Sequence, residues 1–213
     1  MAVGPDGKLV IGGTFNLYNG TTRICLARLT DSNLNFTAVS RKVHATGPFD
    51  INLPLSGAAG VECRTGGVNN DYQVVFTFAG AVTLSNASVT SGTGSVSSFT
   101  GSGTTTLTIG LTGVTSAQRI TLTLAGVSSG PSTTNVGVPM GILVGDTNGN
   151  GSVTSSDIAQ TKAQSGQTVT GSNFRSDVNV SGNTISSSDI SLVKSKSGTS
   201  LPPAAPQRSF FSR

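Results

Sequence analysis

The sequence is poor in the residue types on which most catalytic and carbohydrate-binding sites depend. It has no tryptophan, and among its 213 residues there are two tyrosines, two cysteines and one histidine. The single histidine, His44, has no second histidine with which to hold a metal ion or relay a proton. With so few aromatic rings, a stacking face for sugars is not expected. We therefore predict a protein that is not an enzyme, without catalytic residues or an organic cofactor.

Charged residues are scarce as well, and their distribution argues against further classes of function. They make up 10% of the chain, against about a quarter in typical globular proteins, and the net charge is +4. No basic cluster is interleaved with aromatic residues, which argues against a nucleic-acid partner. No apolar run approaches the length of a membrane-spanning helix. Met1 is also soon followed by Gly4, Pro5 and Asp6, without an apolar core, so we expect no secretion signal in this sequence.

Residues 49–144 show the alternation that is typical of half-buried antiparallel strands. Val74, Phe76 and Phe78 share one face of a predicted strand. Apolar residues alternate with threonine in two more segments, 107–111 and 120–124, and glycine-rich turns separate the segments. The pattern predicts an antiparallel β-sandwich of about seven strands. It resembles bacterial Ig-like modules.

Three reactive residue types fall in a predicted glycine-rich loop of this domain. Glu62 and Asp71 form a carboxylate pair of the kind that glycoside hydrolysis uses, but carboxylates on loops are mostly solvated, so we expect surface charges. Cys63 would have only His44 as a base, which argues against a cysteine nucleophile. Cys25 and Cys63 lie in different predicted modules, and one disulfide or two thiols both stay open.

The first forty residues resemble one unit of a propeller-type repeat. The match consists of P-D-G-K at 5–8, G-G-x-F at 12–15, N-G-T at 19–21 and I-x-x-A-R-L at 24–29. A single blade cannot bury its own faces, so the resemblance implies that residues 1–40 are the last blade of a longer protein and that Met1 is not its natural start. The alternative is a pair of hairpins packed on the next domain. Residues 41–48 are predicted to be a linker, with His44 exposed.

The most specific pattern is a duplicated oxygen-rich loop near the C-terminus. Asp146 begins a run D-T-N-G-N-G that is followed by a short helical segment, and the pattern recurs at a spacing of 31 to 32 residues. Side-chain oxygens at alternate positions of a tight loop can converge on one hard cation such as Ca²⁺, with a closing carboxylate from the next helix. The predicted ligands in the first copy are Asp146, Asn148, Asn150, Ser152 (through its carbonyl) and Asp157.

The second copy is less regular. Asp146 and Asp157 are eleven residues apart, but Asp177 and Asp189 are twelve apart, and the extra residue falls between Gly182 and Ile185. Its predicted ligands are Asp177, Asn179, Ser181, Asn183 and Asp189. Each loop has two carboxylates, and calcium affinity falls as ligand charge falls, so one or two ions are expected. The alternative of a Gly/Asn/Ser turn with a capping aspartate stays open.

The two copies, each ending in D-I-x-x-x-K-x-x-S-G, resemble a dockerin domain over residues 145–200. Dockerins are small extracellular calcium-binding modules that dock onto cohesin domains or related surface receptors. The resemblance implies a partner-binding surface formed by Ser155, Ser156 and Lys162 in one copy and by Ser187, Ser188 and Lys194 in the other. Near-identity of the copies implies binding in either of two orientations. Residues 201–213 are predicted to be a flexible tail.

Three functions follow from this organisation. The first is a non-catalytic, extracellular or cell-surface attachment module of a secreted bacterial protein, with a cohesin-like partner. The second is the accessory C-terminal region of a secreted polysaccharide-degrading enzyme, whose catalytic domain would lie outside this sequence. The third is a calcium-stabilised structural cap without a partner. Because the helical segments are only weakly apolar, we expect the metal to supply much of the module's stability.

Overall fold

The computed structural model describes residues 34–130 and 133–203, together with the backbone of five short strands that precede them. The chain forms two compact units, residues 1–34 and residues 35–213. Among the described residues, no helix is both long enough and apolar enough to cross a lipid bilayer.

The described part of the first unit consists of short antiparallel strands. They are β1 (Ala2–Val3), β2 (Leu9–Gly12), β3 (Leu17–Tyr18), β4 (Thr21–Thr22) and β5 (Leu26–Arg28). Strands β1, β2 and β5 form one sheet and β3 pairs with β4. The two strands expected from the apolar segments correspond to β2 and β5, which are neighbours in the sheet.

The second unit begins with nine strands. They are β6 (Phe36–His44), β7 (Gly47–Asn52), β8 (Gly60–Glu62), β9 (Tyr72–Val82), β10 (Asn86–Ser91), β11 (Ser95–Thr100), β12 (Thr104–Thr112), β13 (Gln118–Ser128) and β14 (Thr133–Ile142). One sheet has the order β11-β12-β9-β6-β7 and the other has the order β10-β13-β14-β8. All neighbours are antiparallel except β14 and β8. The prediction of a mainly β chain with an antiparallel sandwich is confirmed, with two more strands than expected and one parallel pair.

The alternating residues form the core of this sandwich, as predicted. Phe76, Leu107 and Leu122 are fully buried. The other alternating apolar residues are at most 4% exposed: Val74, Phe78, Ile109, Leu111, Ile120 and Leu124. The alternation works because successive side chains of a strand point to opposite faces of the sheet, so one face of each sheet can be continuously apolar.

Residues 41–48 are not a linker, and this prediction was wrong. They form the end of β6 and the start of β7, which pair as a hairpin with His44 opposite Gly47. The second unit therefore starts at residue 35 rather than at residue 49. His44 is 2% exposed instead of solvated, because its side chain points toward the C-terminal part of the chain.

The last described segment is a small helical module, residues 144–203. It contains two helices, α1 (Ser155–Ala163) and α2 (Ser187–Lys196), and a single 3₁₀ turn at Phe174–Ser176 between the repeats. Its apolar residues do not form a core alone. A buried cluster joins residues of the sandwich end to residues of the module: Val61, Leu143, Val144, Val153, Val178, Val193 and Leu201. The module is therefore fixed to the sandwich by a shared core.

Leu201 also corrects the predicted start of the tail. It is 9% exposed, and its amide donates to the carbonyl of Gly151 at 2.9 Å. The next carbonyl, that of Pro202, accepts a hydrogen bond from Arg119 of β13 at 2.8 Å. Residues 201–203 thus close the module, and the predicted tail from residue 204 onward lies outside the described residues.

Candidate metal centre

Loop 1 (residues 146–157) is organised around the carboxylate of Asp146. Its Oδ1 accepts from the amides of Gly149 and Asn150, at 2.9 and 3.1 Å, and its Oδ2 accepts from the amide of Gly151 at 2.8 Å. Gly149 and Gly151 both have positive φ, +77° and +88°, which lets the chain wrap tightly around the carboxylate. The side chain is fully buried. Asp146 therefore holds the loop closed from its first position.

Asp157 closes the same loop from the first turn of α1. Its Oδ1 accepts from the amide of Asn148 at 3.2 Å, and its Oδ2 accepts from the amide of Thr154 at 2.9 Å. Thr154 and Asp157 also form a capping box, in which each side chain bonds the backbone of the other. The same aspartate thus starts the helix and faces the loop. This double role explains why the last expected ligand is buried although it lies on a short exposed helix.

The amide side chains between these aspartates turn their oxygens toward the loop backbone. Asn148 Oδ1 accepts from the amide of Asn150 at 3.0 Å, and Asn150 Oδ1 accepts from the amide of Ser152 at 2.9 Å. Ser152 forms a bridge to Ser200. The five residues predicted as ligands from the sequence are therefore brought together in one loop.

The electrostatics of loop 1 favour a cation. Burial raises the pKa of the Asp146 carboxyl above its usual range, and the nearby charge of Asp157 raises it further, although the three amide donors oppose this shift. Two carboxylates thus share one small enclosed loop. In the described part of the chain no three His, Cys, Asp or Glu side chains converge, so a bound ion would depend on amide and backbone oxygens as well. An all-oxygen donor set of this kind fits a hard divalent cation such as calcium.

Loop 2 (residues 177–189) repeats most of this arrangement. Asp177 and Asp189 are fully buried. Asp189 Oδ1 accepts from the amide of Asn179 at 3.1 Å and its Oδ2 accepts from the amide of Ser186 at 2.9 Å, as Asp157 does in loop 1. The amide of Ser181 donates to Asn179 Oδ1 at 2.9 Å. The second loop is therefore folded like the first in spite of its extra residue.

The extra residue is Asn183. The amide of Leu201 donates to the carbonyl of Gly151, and the amide of Val169 donates to the carbonyl of Asn183, in the same position relative to each helix. Gly182 keeps the positive φ of Gly151, +75° against +88°, so the insertion follows the turn and does not destroy it. Asn183 is exposed and its backbone carbonyl is used in this bridge.

Loop 2 also contains a strained residue. Val180 has φ +55° at the position where loop 1 has Gly149. A β-branched residue rarely adopts this conformation, because its side chain is crowded against the backbone. The remaining contacts of the loop must therefore hold the backbone in place.

The two repeats exchange their closing segments. Val153 of loop 1 pairs with the segment after α2, through its amide to the carbonyl of Thr199 at 2.9 Å. Ile185 of loop 2 pairs with the segment after α1, through its amide to the carbonyl of Gln167 at 3.0 Å. Each loop is thus completed by the other repeat, which gives the module an approximate two-fold symmetry.

The residues that the sequence predicts for partner binding are exposed in both copies: Ser155, Ser156, Lys162, Ser187, Ser188 and Lys194. Ser156 and Ser188 have a second contact, since their hydroxyls accept from Asn148 and Asn179 at 3.0 and 2.6 Å. The predicted surface is therefore linked directly to both loops.

Sequence reasoning missed a buried polar network beside loop 2, which we define as Ser40, His44, Glu62, Arg64 and Asp177. Arg64 Nε and Nη2 each donate to Glu62 at 2.8 Å, and Ser40 also donates to Glu62. Burial alone raises the pKa of Glu62, but the bonds from Arg64 and Ser40 outweigh burial and hold it below its usual range. Glu62 and Asp71 were predicted to be surface charges. Asp71 is exposed, but the prediction was wrong for Glu62, because Arg64 pairs with it inside the domain.

The network connects the sandwich to the segment between the repeats. Phe174 stacks on Phe49 of β7, with ring centroids 5.3 Å apart and planes at 13°. Arg175 donates to the carbonyls of Thr147 and Asp146 at 2.8 and 3.0 Å, and to that of Val61 at 3.2 Å. Cys63 is fully buried below this segment, whereas Cys25 lies outside the described residues. The only sequence signal for this contact was the F-R-S-D run before Val178.

Comparison with known families agrees with the two most specific patterns. Residues 144–196 match the family model of the dockerin type I domain. Residues 4–32 match the model of a β-propeller domain of unknown function, DUF5122. Neither match spans half of the chain. No curated protein and no solved structure matches the chain.

Proposed function

We propose that this chain, which carries a dockerin type I domain at residues 144–196, attaches its parent protein to a cohesin-like partner through a calcium-organised surface. The observation that carries this proposal is the presence of two equivalent loops, each enclosing two buried aspartates, directly beneath two equivalent exposed surfaces. The residues that would hold calcium are Asp146, Asn148, Asn150, Ser152 and Asp157 in loop 1 and Asp177, Asn179, Ser181, Asn183 and Asp189 in loop 2.

Calcium would neutralise the aspartates that each loop encloses and fix the start of the helix that follows. In loop 1, Asp157 lies in the first turn of α1 and forms a capping box with the N-cap residue Thr154. In loop 2, Asp189 lies in the first turn of α2 and forms a capping box with the N-cap residue Ser186. We infer that both loops take an ion, because Asp189 closes loop 2 through the same two amide contacts that Asp157 makes in loop 1.

The charge of the loops indicates where the module works. With two carboxylates per loop, the dissociation constant is expected near the range of extracellular calcium modules, about 10⁻⁴–10⁻³ M. We therefore infer that the chain acts outside the cell or at the cell surface. The 10% content of charged residues and the threonine-rich sandwich agree with this location.

The symmetry of the module supports binding in two orientations. Lys162 and Lys194 lie at the same place in α1 and α2, each in the last turn and exposed. A partner that recognises one copy would find the same side chains after a half-turn of the module. Loss of one copy should therefore leave binding intact, while loss of both should abolish it.

The test is a binding titration of the full chain against a panel of recombinant cohesin domains, in calcium or in excess EDTA. The calcium concentration, 5 to 10 mM, is roughly ten times the expected calcium dissociation constants. We expect binding in calcium and none in EDTA. Lys162→Glu and Lys194→Glu should each retain binding, and the double variant should lose it. Lys196→Glu, a half-buried lysine of the last turn of α2, is the matched control.

The alternatives predict different results. Calcium binding without any cohesin binding would favour a structural cap over an attachment module. Cohesin binding that persists in EDTA would contradict the role of the ion.

A further inference from the structure

Loop 2 differs from loop 1 in how its first aspartate is held. In loop 1, the carboxylate oxygen Oδ2 of Asp146 accepts from the backbone amide of Gly151 at 2.8 Å. In loop 2, the same oxygen of Asp177 is 2.6 Å from Nδ1 of His44. In the described part of the chain, the amide of Gly182 makes no hydrogen bond to Asp177. A side chain of the sandwich thus stands where loop 1 uses its own backbone.

The hydrogen-bond partners of His44 indicate which of its ring nitrogens donates and which accepts. A carboxylate can only accept a hydrogen bond, so Nδ1 of His44 carries the proton that Asp177 receives. A guanidinium can only donate, and Nη1 of Arg64 lies 3.2 Å from Nε2 of His44, so Nε2 is an acceptor. The contacts therefore place the donor of the ring at Nδ1 and its acceptor at Nε2.

The rest of the network fixes the position of the ring. Arg64 is held by Glu62 on one side and by the carbonyl of Phe49, at 2.9 Å, on the other. His44 packs edge-on against Phe49, with centroids 5.3 Å apart. Each of His44, Glu62 and Arg64 is at most 2% exposed. The donor to Asp177 is thus held in place by contacts within the sandwich.

Within the network, Asp177 has hydrogen-bond donors but no arginine partner. Arg64 is paired with Glu62, so the Asp177 carboxylate is buried with hydrogen bonds from Nδ1 of His44 and, at 3.3 Å, from the amide of Ser181. A buried carboxylate in this state is stabilised by a cation on its free side. The second buried aspartate of loop 2, Asp189, faces the same interior.

We propose that His44 is a positioning residue for the calcium site of loop 2, so that the sandwich completes one metal site of the module. The extra residue Asn183 leaves the amide of Gly182 without a hydrogen bond to Asp177, and Nδ1 of His44 takes its place. This contact orients the Asp177 carboxylate with Oδ1 toward the loop. This inference rests on the proposed calcium binding. Removal of a hydrogen-bond partner of a metal ligand typically weakens metal affinity 10–100-fold.

The experiment is a calcium titration of the full ¹⁵N-labelled chain followed by nuclear magnetic resonance. The amide of Gly151 reports on loop 1 and the amide of Gly182 reports on loop 2. The two signals can be compared, because the two glycines occupy the same position in their loops. We expect His44→Leu to weaken calcium binding at loop 2 about 10–100-fold while the affinity of loop 1 changes less than threefold. His44→Asn, which keeps a donor near the position of Nδ1, should retain part of the loop 2 affinity.

A matched control separates this role from general weakening of the interface. The hydroxyl of Thr46, two residues away, donates to the carbonyl of Val169 in the module at 3.1 Å but touches no aspartate. Thr46→Val should leave both calcium affinities within about threefold of the wild type, below the 10–100-fold expected for a ligand's partner. Equal effects of Thr46→Val and His44→Leu on loop 2 would overturn the proposal.

The wild-type protein provides a test that does not depend on the folding of variants. The ¹⁵N shifts of His44 should show a proton on Nδ1, and they should change together with the Gly182 signal when calcium is added. A proton on Nε2, or a single calcium ion bound at loop 1, would overturn the inference and leave calcium binding by the module intact. Absence of calcium at both loops would instead contradict the proposed function.

Discussion

Replacement of Arg64 by methionine should be among the most destabilising single substitutions in the chain. The guanidinium is fully buried and makes hydrogen bonds to Glu62, to the carbonyls of Ser40 and Phe49 and to His44. Methionine fills a similar volume but leaves the Glu62 carboxylate buried without its counter-charge. Removal of one partner from a buried ion pair costs about 3–5 kcal/mol.

The chain contains its own control for this prediction. Arg41 and Asp50 form an equally well aligned pair across β6 and β7, at 2.8 and 2.7 Å, but their side chains are 36% and 33% exposed. Exposed pairs contribute about 0–1 kcal/mol, because water screens the charges. Arg41→Met should therefore cost several-fold less than Arg64→Met, although both replace an arginine by methionine.

The assay is urea unfolding at pH 7 in excess calcium, followed by circular dichroism, with the free energy taken from the midpoint and slope. A Glu62→Gln/Arg64→Met double variant should be more stable than Arg64→Met alone, because no uncompensated charge remains. If Arg64→Met and Arg41→Met cost the same, burial of the ion pair does not have the energetic role described.

Three further predictions concern other parts of the molecule. Burial raises the pKa of the Cys63 thiol to about 12, so this thiol should resist iodoacetamide at pH 8 in calcium and react once urea unfolds the chain; peptide mapping would show it, and rapid native labelling would contradict the burial. Val180→Asn should stabilise the chain by about 1 kcal/mol in urea unfolding, since asparagine tolerates positive φ, whereas a loss of stability would mean that the valine side chain contributes more than its strain costs. Calcium at about a hundred times its dissociation constant should raise the free energy of unfolding by roughly 2.7 kcal/mol per site, and an unfolding midpoint that is the same in EDTA would argue against the ions.

Periodicity and the duplicated loops made most of the fold predictable. The core-facing sides of β9, β12 and β13 follow from the alternation, because strand geometry places residues two apart on the same face of the sheet. The start of each helix follows from Thr154 with Asp157 and from Ser186 with Asp189, since a capping box is a local interaction. Signals of this kind need no knowledge of distant contacts.

The errors came from contacts between residues far apart in the chain. The stretch Arg41–Lys42 followed by Gly47–Pro48 has the composition of a linker, yet Arg41 pairs with Asp50 across a hairpin. His44 and Asp177 are 133 residues apart, so no local pattern could join them. Leu201 was likewise predicted to lie in the tail, but it is buried through contacts with Gly151 and the shared core. Composition describes a residue's own preference, but a partner from elsewhere in the fold decides its burial.

Loop 2 combines both lessons. Its aspartates and their spacing were visible in the sequence, and so was the extra residue. The replacement of the Gly182 amide by His44 was not visible, because the compensating donor comes from the sandwich. The irregular copy is therefore expected to work as a calcium site only in the presence of the preceding domain.

Calorimetric titration of the calcium-free full chain with calcium measures the number of ions and their affinity together. We expect two ions, with dissociation constants of about 10⁻⁴–10⁻³ M, and one ion in a variant that carries Asp177→Ala. No binding heat up to 10 mM calcium, roughly ten times the upper limit of that range, would contradict a calcium-organised attachment module.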